Sequence, residues 1–447
     1  SPPAVKVKAN QSTQKDFEGS DLIVADGQTV TYGSPTLRFT HRTARVTIVL
    51  TDYTEGLASV QLTGLSTEGD NPDIIVPYDK GSNTYTAIVA PQSVAAGTAF
   101  VTCTFTNGKT FVYKMKNATD WQAGGEYTYT VSLAAAKDPG YTIEGNGSYT
   151  VTSADGLMNV AELVNGGKTD INITLDKNID LTGKDWTPIG TSFDNSYTGT
   201  FDGGGHTITG LTVTTNGQYA GLFGCLGKAG TVKNVVMEGL QITSNHRSGY
   251  TGGVVGNSWG TIENCSVSGS VSGTLYVGGV VGDQWGGSIT GCSSSATVKG
   301  TVGVGGVAGH TTMGAAMTAS YATGNVTLEI APTENISGGG VVGFNGGSSI
   351  LACYAIGNVT STGSSTGSVC IGGLLGNNYT AVTACYWKNN QEQGIGYNQG
   401  GTDVEATKVG GNITWQNAVD DMNNALQSAG SEWRYELTGA LPTLKKQ

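Results

Sequence analysis

A five-residue unit, Gly-Gly-apolar-apolar-Gly, recurs as Gly252–Gly256, Gly278–Gly282, Gly305–Gly309, Gly339–Gly343 and Gly372–Gly376, after an earlier variant at Ala220–Gly224. The second position falls at 221, 253, 279, 306, 340 and 373, which gives intervals of 32, 26, 27, 34 and 33 residues. From 12 to 14 residues further on stands a second marker: Val235, Cys265, Cys292, Ser320, Cys353 and Cys385. Gly or Ala follows four residues after the Cys265, Cys292, Ser320 and Cys353 markers (269, 296, 324, 357), and Val follows six after (271, 298, 326, 359). Short β-branched strands at this period imply one coil of a parallel β-solenoid per repeat. A single repeat cannot bury a face alone, whereas rungs stacked about 4.8 Å apart bury one together. The Gly-Gly pairs are expected to hold corners at positive φ and to let neighbouring chains pass closely. Neither amphipathic helices nor Trp-Asp signatures recur, so a helical or WD-type repeat lacks support.

Glycine is correspondingly abundant, 70 of 447 residues, and charge is scarce at 13%. With ten prolines and no Gly-X-Y period the chain is not collagen-like. Its 38% hydrophobic content argues against disorder. A net charge of −11 disfavours nucleic acid and anionic membranes as partners. No apolar run reaches the roughly 18 residues of a membrane-spanning segment. The seven cysteines form no Cys-x-x-Cys pair, so neither zinc nor a disulfide-dense scaffold is expected. Four of them share one repeat phase and read as an inward ladder of small hydrophobic residues. They are expected to be free thiols, because parallel Cβ atoms about 4.8 Å apart exceed the ~3.8 Å of a disulfide.

Residues 1–134 contain 11 glycines and residues 190–400 contain 47, a shift that marks a domain boundary. The expected organisation is a β-sandwich over 1–134, a linker over 135–141, a solenoid over 142–401 and a helical cap and tail over 402–447. In the first part, strands are expected at Thr36–Thr40, Arg45–Leu50, Ser59–Leu62, Thr84–Val89, Ala99–Thr106, Thr110–Lys114 and Tyr127–Leu133, with a turn at Asn107-Gly108. His41 and the nearby arginines read as strand-edge charges, with anion binding as the alternative. Ser153 is a helix N-cap before Ala154–Val164, ended by Asn165-Gly166. Thr414 is the N-cap of Trp415–Ser428, whose Trp415, Val419, Met422 and Leu426 share one face assigned to covering the last rung.

The repeats resemble the GLUG motif of bacterial surface proteins. Ile179-Asp180-Leu181, Trp186–Gly190 and Phe201–Ile208 are similar to the usual lead-in. Met422-Asn423, Trp433 and Leu441-Pro442-Thr443-Leu444 are similar to the usual ending. The first part resembles the later portion of the fimbrillin (Mfa-like) family of Gram-negative anaerobes, through Ser20-Asp21-Leu22, Leu37–His41, Ala90-Pro91-Gln92 and Trp121–Tyr129. These resemblances imply an all-β protein: a transthyretin-like sandwich, then a right-handed parallel β-solenoid with short capping helices. They also imply an extracellular surface, outer-membrane or fimbrial location in a Gram-negative bacterium, with no signal or lipid anchor within this chain. A tip or accessory protein fits better than a shaft subunit, and other pilus subunits are expected partners.

Parallel β-helices also host polysaccharide lyases and hydrolases, whose chemistry needs paired carboxylates or acidic metal ligands. Between 190 and 400 the acids are Asp194, Asp202, Glu238, Glu263, Asp283, Glu329, Glu334 and Glu392, at differing repeat phases. Asp202 and His206 read as a turn-fixing pair, His246 and His310 as isolated loop residues, and Asp170, Asp176 and Asp180 match no calcium loop. No catalytic, cofactor or metal residue is assigned, and the expectation is a non-enzymatic adhesin; the alternative is a polysaccharide-acting enzyme. Aromatic residues are the ligand-contact candidates. With Cys353 and Cys385 inward, Tyr354 and Tyr386 point outward, and Tyr321 shares their phase. Trp259, Trp285 and Tyr379 share another. Exposed rings of this kind dock surface glycans or proteins, while stacked rings can equally serve as a ladder between rungs.

Overall fold

The computed structural model describes residues 5–33, 36–66, 72–106, 108–330, 334–399, 401 and 403–447, so Asn107 of the expected turn lies outside the described residues. The chain forms two compact units, Ser1–Asp138 and Pro139–Gln447, divided inside the expected linker.

The first unit is a β-sandwich. One sheet runs in the order Glu126–Ser132, Ala44–Thr51, Thr84–Val89, Tyr78–Gly81, and a second contains Leu57–Leu62, Ala99–Phe105 and Thr110–Lys114. Buried and half-buried residues alternate along Ala44–Thr51, the period-2 pattern that puts Ala44, Val46, Ile48 and Leu50 into the core. Phe100, Trp121 and Tyr129 form an edge-to-face aromatic cluster there. The strand expected at Thr36–Thr40 shrinks to Thr40–His41, because its apolar residues Leu37 and Phe39 remain exposed and find no core to enter. His41, Arg42 and Arg45 each meet a carboxylate at 2.8 Å, namely Asp21, Asp26 and Glu126. All three are paired, but Ala44–Thr51 lies between two other strands of its sheet, so Arg45 is not the strand-edge charge that the sequence suggests.

The second unit is a β-solenoid of about seven turns. Each coil lays down a short strand such as Thr261–Glu263, turns at one residue, continues through a second such as Ser266–Ser272, and crosses to Tyr276–Gly278 and Val281–Gln284. Equivalent strands of successive coils pair in parallel. Val235, Cys265, Cys292, Ser320, Cys353 and Cys385 form the expected buried column, and all seven cysteines are free thiols. Helix α1 (Gln14–Glu18) belongs to the first unit. Helix α2 (Ala154–Asn165) starts the solenoid, with Ser153 Oγ accepting from Gly156 N, and buries Leu157, Val160 and Val164 in the solenoid core.

Three expectations need correction. The repeated Gly-Gly pairs are not at positive φ. They are glycine because the neighbouring rung leaves no room: a Cβ on Gly279 would lie 2.2 Å from Gly306 O, and one on Gly306 2.2 Å from Gly340 O. Left-handed φ occurs instead at the opposite corner, at Asn234, Asn264, Gly291, Ala319, Ala352 and Ala384. Helix α3 (Trp415–Ser428) does not cover the last rung. With Trp433, Tyr435 and Leu441–Leu444 it lies along this second corner, and the solenoid itself continues past 401 through Val404–Lys408. The cause is a row of small residues, Gly291, Ala319 and Ala352, which gives the tail a flat apolar bed: a Cβ on Gly291 would meet the Trp433 ring at 2.4 Å. His310 is not an isolated loop residue either, as the site shows.

Candidate ligand-binding site

The site lies where the third and fourth strands of each coil meet at the Gly-Gly corner. In parallel register, the first residue of the third strand reads Tyr219, Tyr250 and Tyr276, then Gly303. The same column continues through Ser337 and Cys370. The facing column on the fourth strand reads Cys225, Asn257, Asp283, His310, Phe344, Asn377 and Tyr397. The tyrosines stack, with ring centroids 5.7 and 5.8 Å apart, and Tyr276 then stacks on His310 at 4.4 Å. His310 meets Phe344 edge-on at 5.1 Å, and Phe344 meets Tyr379 at 5.5 Å.

Beyond Tyr276 the column loses its bulk, and a cavity of about 480 Å³ opens. Its floor is Gly303, Ser337 and Cys370; Phe344, Tyr379 and Tyr397 supply rings; Asn335, Ser368 and Asn377 supply polar groups. This is within the roughly 300–1,000 Å³ of small-molecule clefts. Asn335 Oδ1 accepts from Ser368 N at 2.9 Å, which holds the rim. Asn377 Oδ1 is buried with no hydrogen-bond partner among the described residues. Cys370 is half-buried, unlike the other six thiols, and burial raises its pKa.

Beside the cavity lies a buried acid–histidine pair. Asp283 is fully buried, and its Oδ1 is 2.8 Å from His310 Nδ1. Its Oδ2 accepts from Trp285 Nε1 and, at 3.5 Å, from Asn257 Nδ2. Burial, followed by the charge of Asp283, pushes the Tyr276 phenol up to about 12. The four-residue gap to the repeat glycines gives Asp283 and His310 the same phase, two residues beyond Val281 and Ala308, so this pair was legible as neighbours in adjacent rungs.

The six aromatic candidates separate. Tyr379 lines the cavity and is 41% exposed. Trp259 and Trp285 pair at 5.5 Å, with Phe193 edge-on to Trp259, as a half-buried ladder at the next corner. Tyr321 and Tyr354 stack at 4.7 Å and 4°, but Tyr354 and Tyr386 are not an exposed surface. Helix α3 and the tail cover both: Tyr354 donates to Pro442 O at 2.5 Å, and Tyr386 donates to Asp421 Oδ2 at 2.6 Å. Tyr321 borders a smaller cleft of about 220 Å³ between the tail and Ser293–Ser295. Asp202 fixes its turn by accepting from Gly204 N and Asn234 Nδ2, both at 2.9 Å. Burial raises its pKa, but these bonds and Lys233 outweigh it and hold the carboxyl below the usual range.

The family model for fimbrillin-like proteins matches residues 2–145, and that for the GLUG motif matches 248–272 and 273–299. The chain carries a fimbrillin-like domain followed by GLUG motifs. A fimbrillin-like domain is the signature of a pilus-associated surface protein. Among the described residues no helix is long and apolar enough to cross a membrane. Halomucin of Haloquadratum walsbyi is 41% identical over 110 residues, 22% of this chain and 1% of its own length. A protein of Evansella cellulosilytica, provisionally named a Gly-rich membrane protein, is 36% identical over 126 residues, 27% of this chain and 14% of its own. The chain thus spans only a small part of either relative. A Bacteroides ovatus crystal structure, provisionally described as an immunoglobulin A1 protease, aligns with a TM-score of 0.52 at 20% identity. It covers 68% of this chain and 93% of its own, and the likeness concerns the fold alone. A fimbrial protein from the same species covers 32% of this chain and 33% of its own, at 16% identity and a TM-score of 0.19.

Proposed function

We propose that this chain is a non-enzymatic adhesin of the bacterial surface, a tip or accessory component of a pilus, whose solenoid contacts glycan or protein ligands. Its setting would be the outer surface of a Gram-negative cell, with other pilus subunits as partners of the fimbrillin-like domain. The supporting observation is the cavity of about 480 Å³, whose lining combines aromatic rings, amides and hydroxyls and, among the described residues, contains no Asp, Glu, His, Lys or Arg. Such a wall can orient a ligand by apolar contact and hydrogen bonds. Glycosidic cleavage instead draws on a pair of carboxylates flanking the bond.

The Asp283–His310 pair favours the alternative of a polysaccharide-acting enzyme. Against it, the imidazole is packed between Tyr276 and Phe344, and both carboxylate oxygens already accept hydrogen bonds. The test is to screen the full chain against glycans and extracellular-matrix proteins for binding, and against polysaccharides for new reducing ends or unsaturated products. Saturable binding without turnover is expected. Steady turnover that disappears in His310→Gln would replace the adhesin with an enzyme.

A further inference from the structure

We infer that the cavity bounded by Ser337, Cys370, Phe344 and Tyr379 binds an uncharged pyranose ring, an inference that rests on the surface-contact reading above. A stacked aromatic column is a poor sugar site along most of its length, because each ring face is already covered by the next rung. Sugars dock on ring faces through their apolar C–H surfaces, so faces must be free. Where the column Tyr219–Tyr250–Tyr276 ends, His310 covers the last ring face, Gly303, Ser337 and Cys370 take the next three places, and the rings left open to the resulting space are Tyr379 and Tyr397, 41% and 48% exposed.

The polar groups specify the class. Asn377 Oδ1 is a buried acceptor without a donor among the described residues, and the neighbouring polar groups of the lining would be left unpaired in the same way under an apolar ligand. Sugar hydroxyls, which both donate and accept, match the amides and hydroxyls of Asn335, Ser337 and Ser368 that line the space. An acyl chain offers no such group and would also strip Ser337 and Ser368 of solvent. Charge narrows the class further. The lining has no cation, Arg247 near the rim lies 3.8 Å from Glu334, and the chain carries a net charge of −11. Sialylated, uronic or sulfated sugars would enter without a counter-charge, whereas a neutral hexose or N-acetylhexosamine needs none.

The experiment measures binding of the full chain to methyl glycosides and arrayed glycans, neutral and acidic, by array and calorimetry. Ser337→Tyr extends the tyrosine column into the cavity and fills it; Tyr379→Ala removes an exposed ring without touching the core. Neutral pyranosides should bind, and each variant should weaken them by about tenfold or more with the melting temperature unchanged. Should Ser337→Tyr fail to fold, Tyr379→Ala and Tyr397→Ala together give the same reading. Preference for acidic glycans, or neutral binding that both variants leave intact, overturns the inference. Binding to matrix proteins but to no sugar removes the saccharide site and leaves the adhesin standing; binding to neither removes both.

Discussion

The solenoid has two flanks built on the same repeat, and in both a stacked column passes from large or polar residues to small ones. At the left-handed corner the sequence runs Asn234, Asn264, Gly291, Ala319, Ala352, Ala384. Where it is Asn, the side chains ladder to one another, Asn264 Nδ2 donating to Asn234 Oδ1 at 2.8 Å. Where it is Gly or Ala, the protein's own tail fills the space, and Tyr435 donates to Ala352 O at 2.9 Å. At the Gly-Gly corner the column runs Tyr219, Tyr250, Tyr276, Gly303, Ser337, Cys370, and the space stays open as the cavity. Small residues in a ladder therefore mark room for something to pack. On one flank it is an intramolecular segment; on the other, the open room is what a ligand can use.

The largest effect should come from uncovering the closed flank. Trp415→Ala removes a buried ring from the α3 cluster and should cost about 3–5 kcal/mol in chemical denaturation. Hydrogen exchange at residues 352–355 should accelerate with it; unchanged protection there would mean that the tail is not their cover. The next effect tests why the two corners use small residues. Gly306→Ala drives a methyl into Gly340 O and should lower stability by about 1–3 kcal/mol or more. Ala352→Gly, at φ +52, loses a buried methyl but relieves left-handed strain, and should stay within about 1 kcal/mol of the parent. Equal losses at both corners would erase the distinction between close approach and backbone conformation.

A smaller effect is alkaline. The Tyr276 phenol titrates near 12 when folded and near 10 when unfolded, first because of burial and then because of Asp283. Its contribution is fully present below pH ~10 and is lost as the pH rises toward ~12, since only the unfolded chain releases the proton easily. Tyr276→Phe should therefore shift alkaline unfolding, followed by circular dichroism, to higher pH; a shift downward would contradict the assignment. The smallest effect is chemical, not energetic. Burial pushes Cys103 up to about 11 and Cys225 up to about 12, and only Cys370 on the open flank is half-exposed. A thiol reagent at pH 8 should modify one of the seven cysteines in the native protein, and Cys370→Ser should abolish that signal.

Much of this was legible in the residues. The repeat phase identified the Cys265–Cys385 column as inward and the following tyrosines as outward, and Ser153 and Thr414 marked two helix starts. The outward tyrosines were correctly oriented yet misjudged as accessible, because orientation relative to a coil says nothing about what later covers it. A signal did exist: Ala at 319, 352 and 384, in corners that prefer Asn or Gly, hinted at an apolar cover. The cavity had one too, in the loss of tyrosine two residues before the repeat glycines at 303, 337 and 370.

Sequence alone determined the coil, because stacking joins each residue to its counterpart one period away, and a period of 26–34 residues is written directly in the glycines and cysteines. Tertiary structure decided which outward faces are closed. That choice rests on contacts with no period, such as Tyr354 with Pro442 across 88 positions and Lys446 with Glu263 across 183. No repeat encodes such a contact. It forms because the tail's aromatic face and the small-residue bed each bury more apolar surface together than apart.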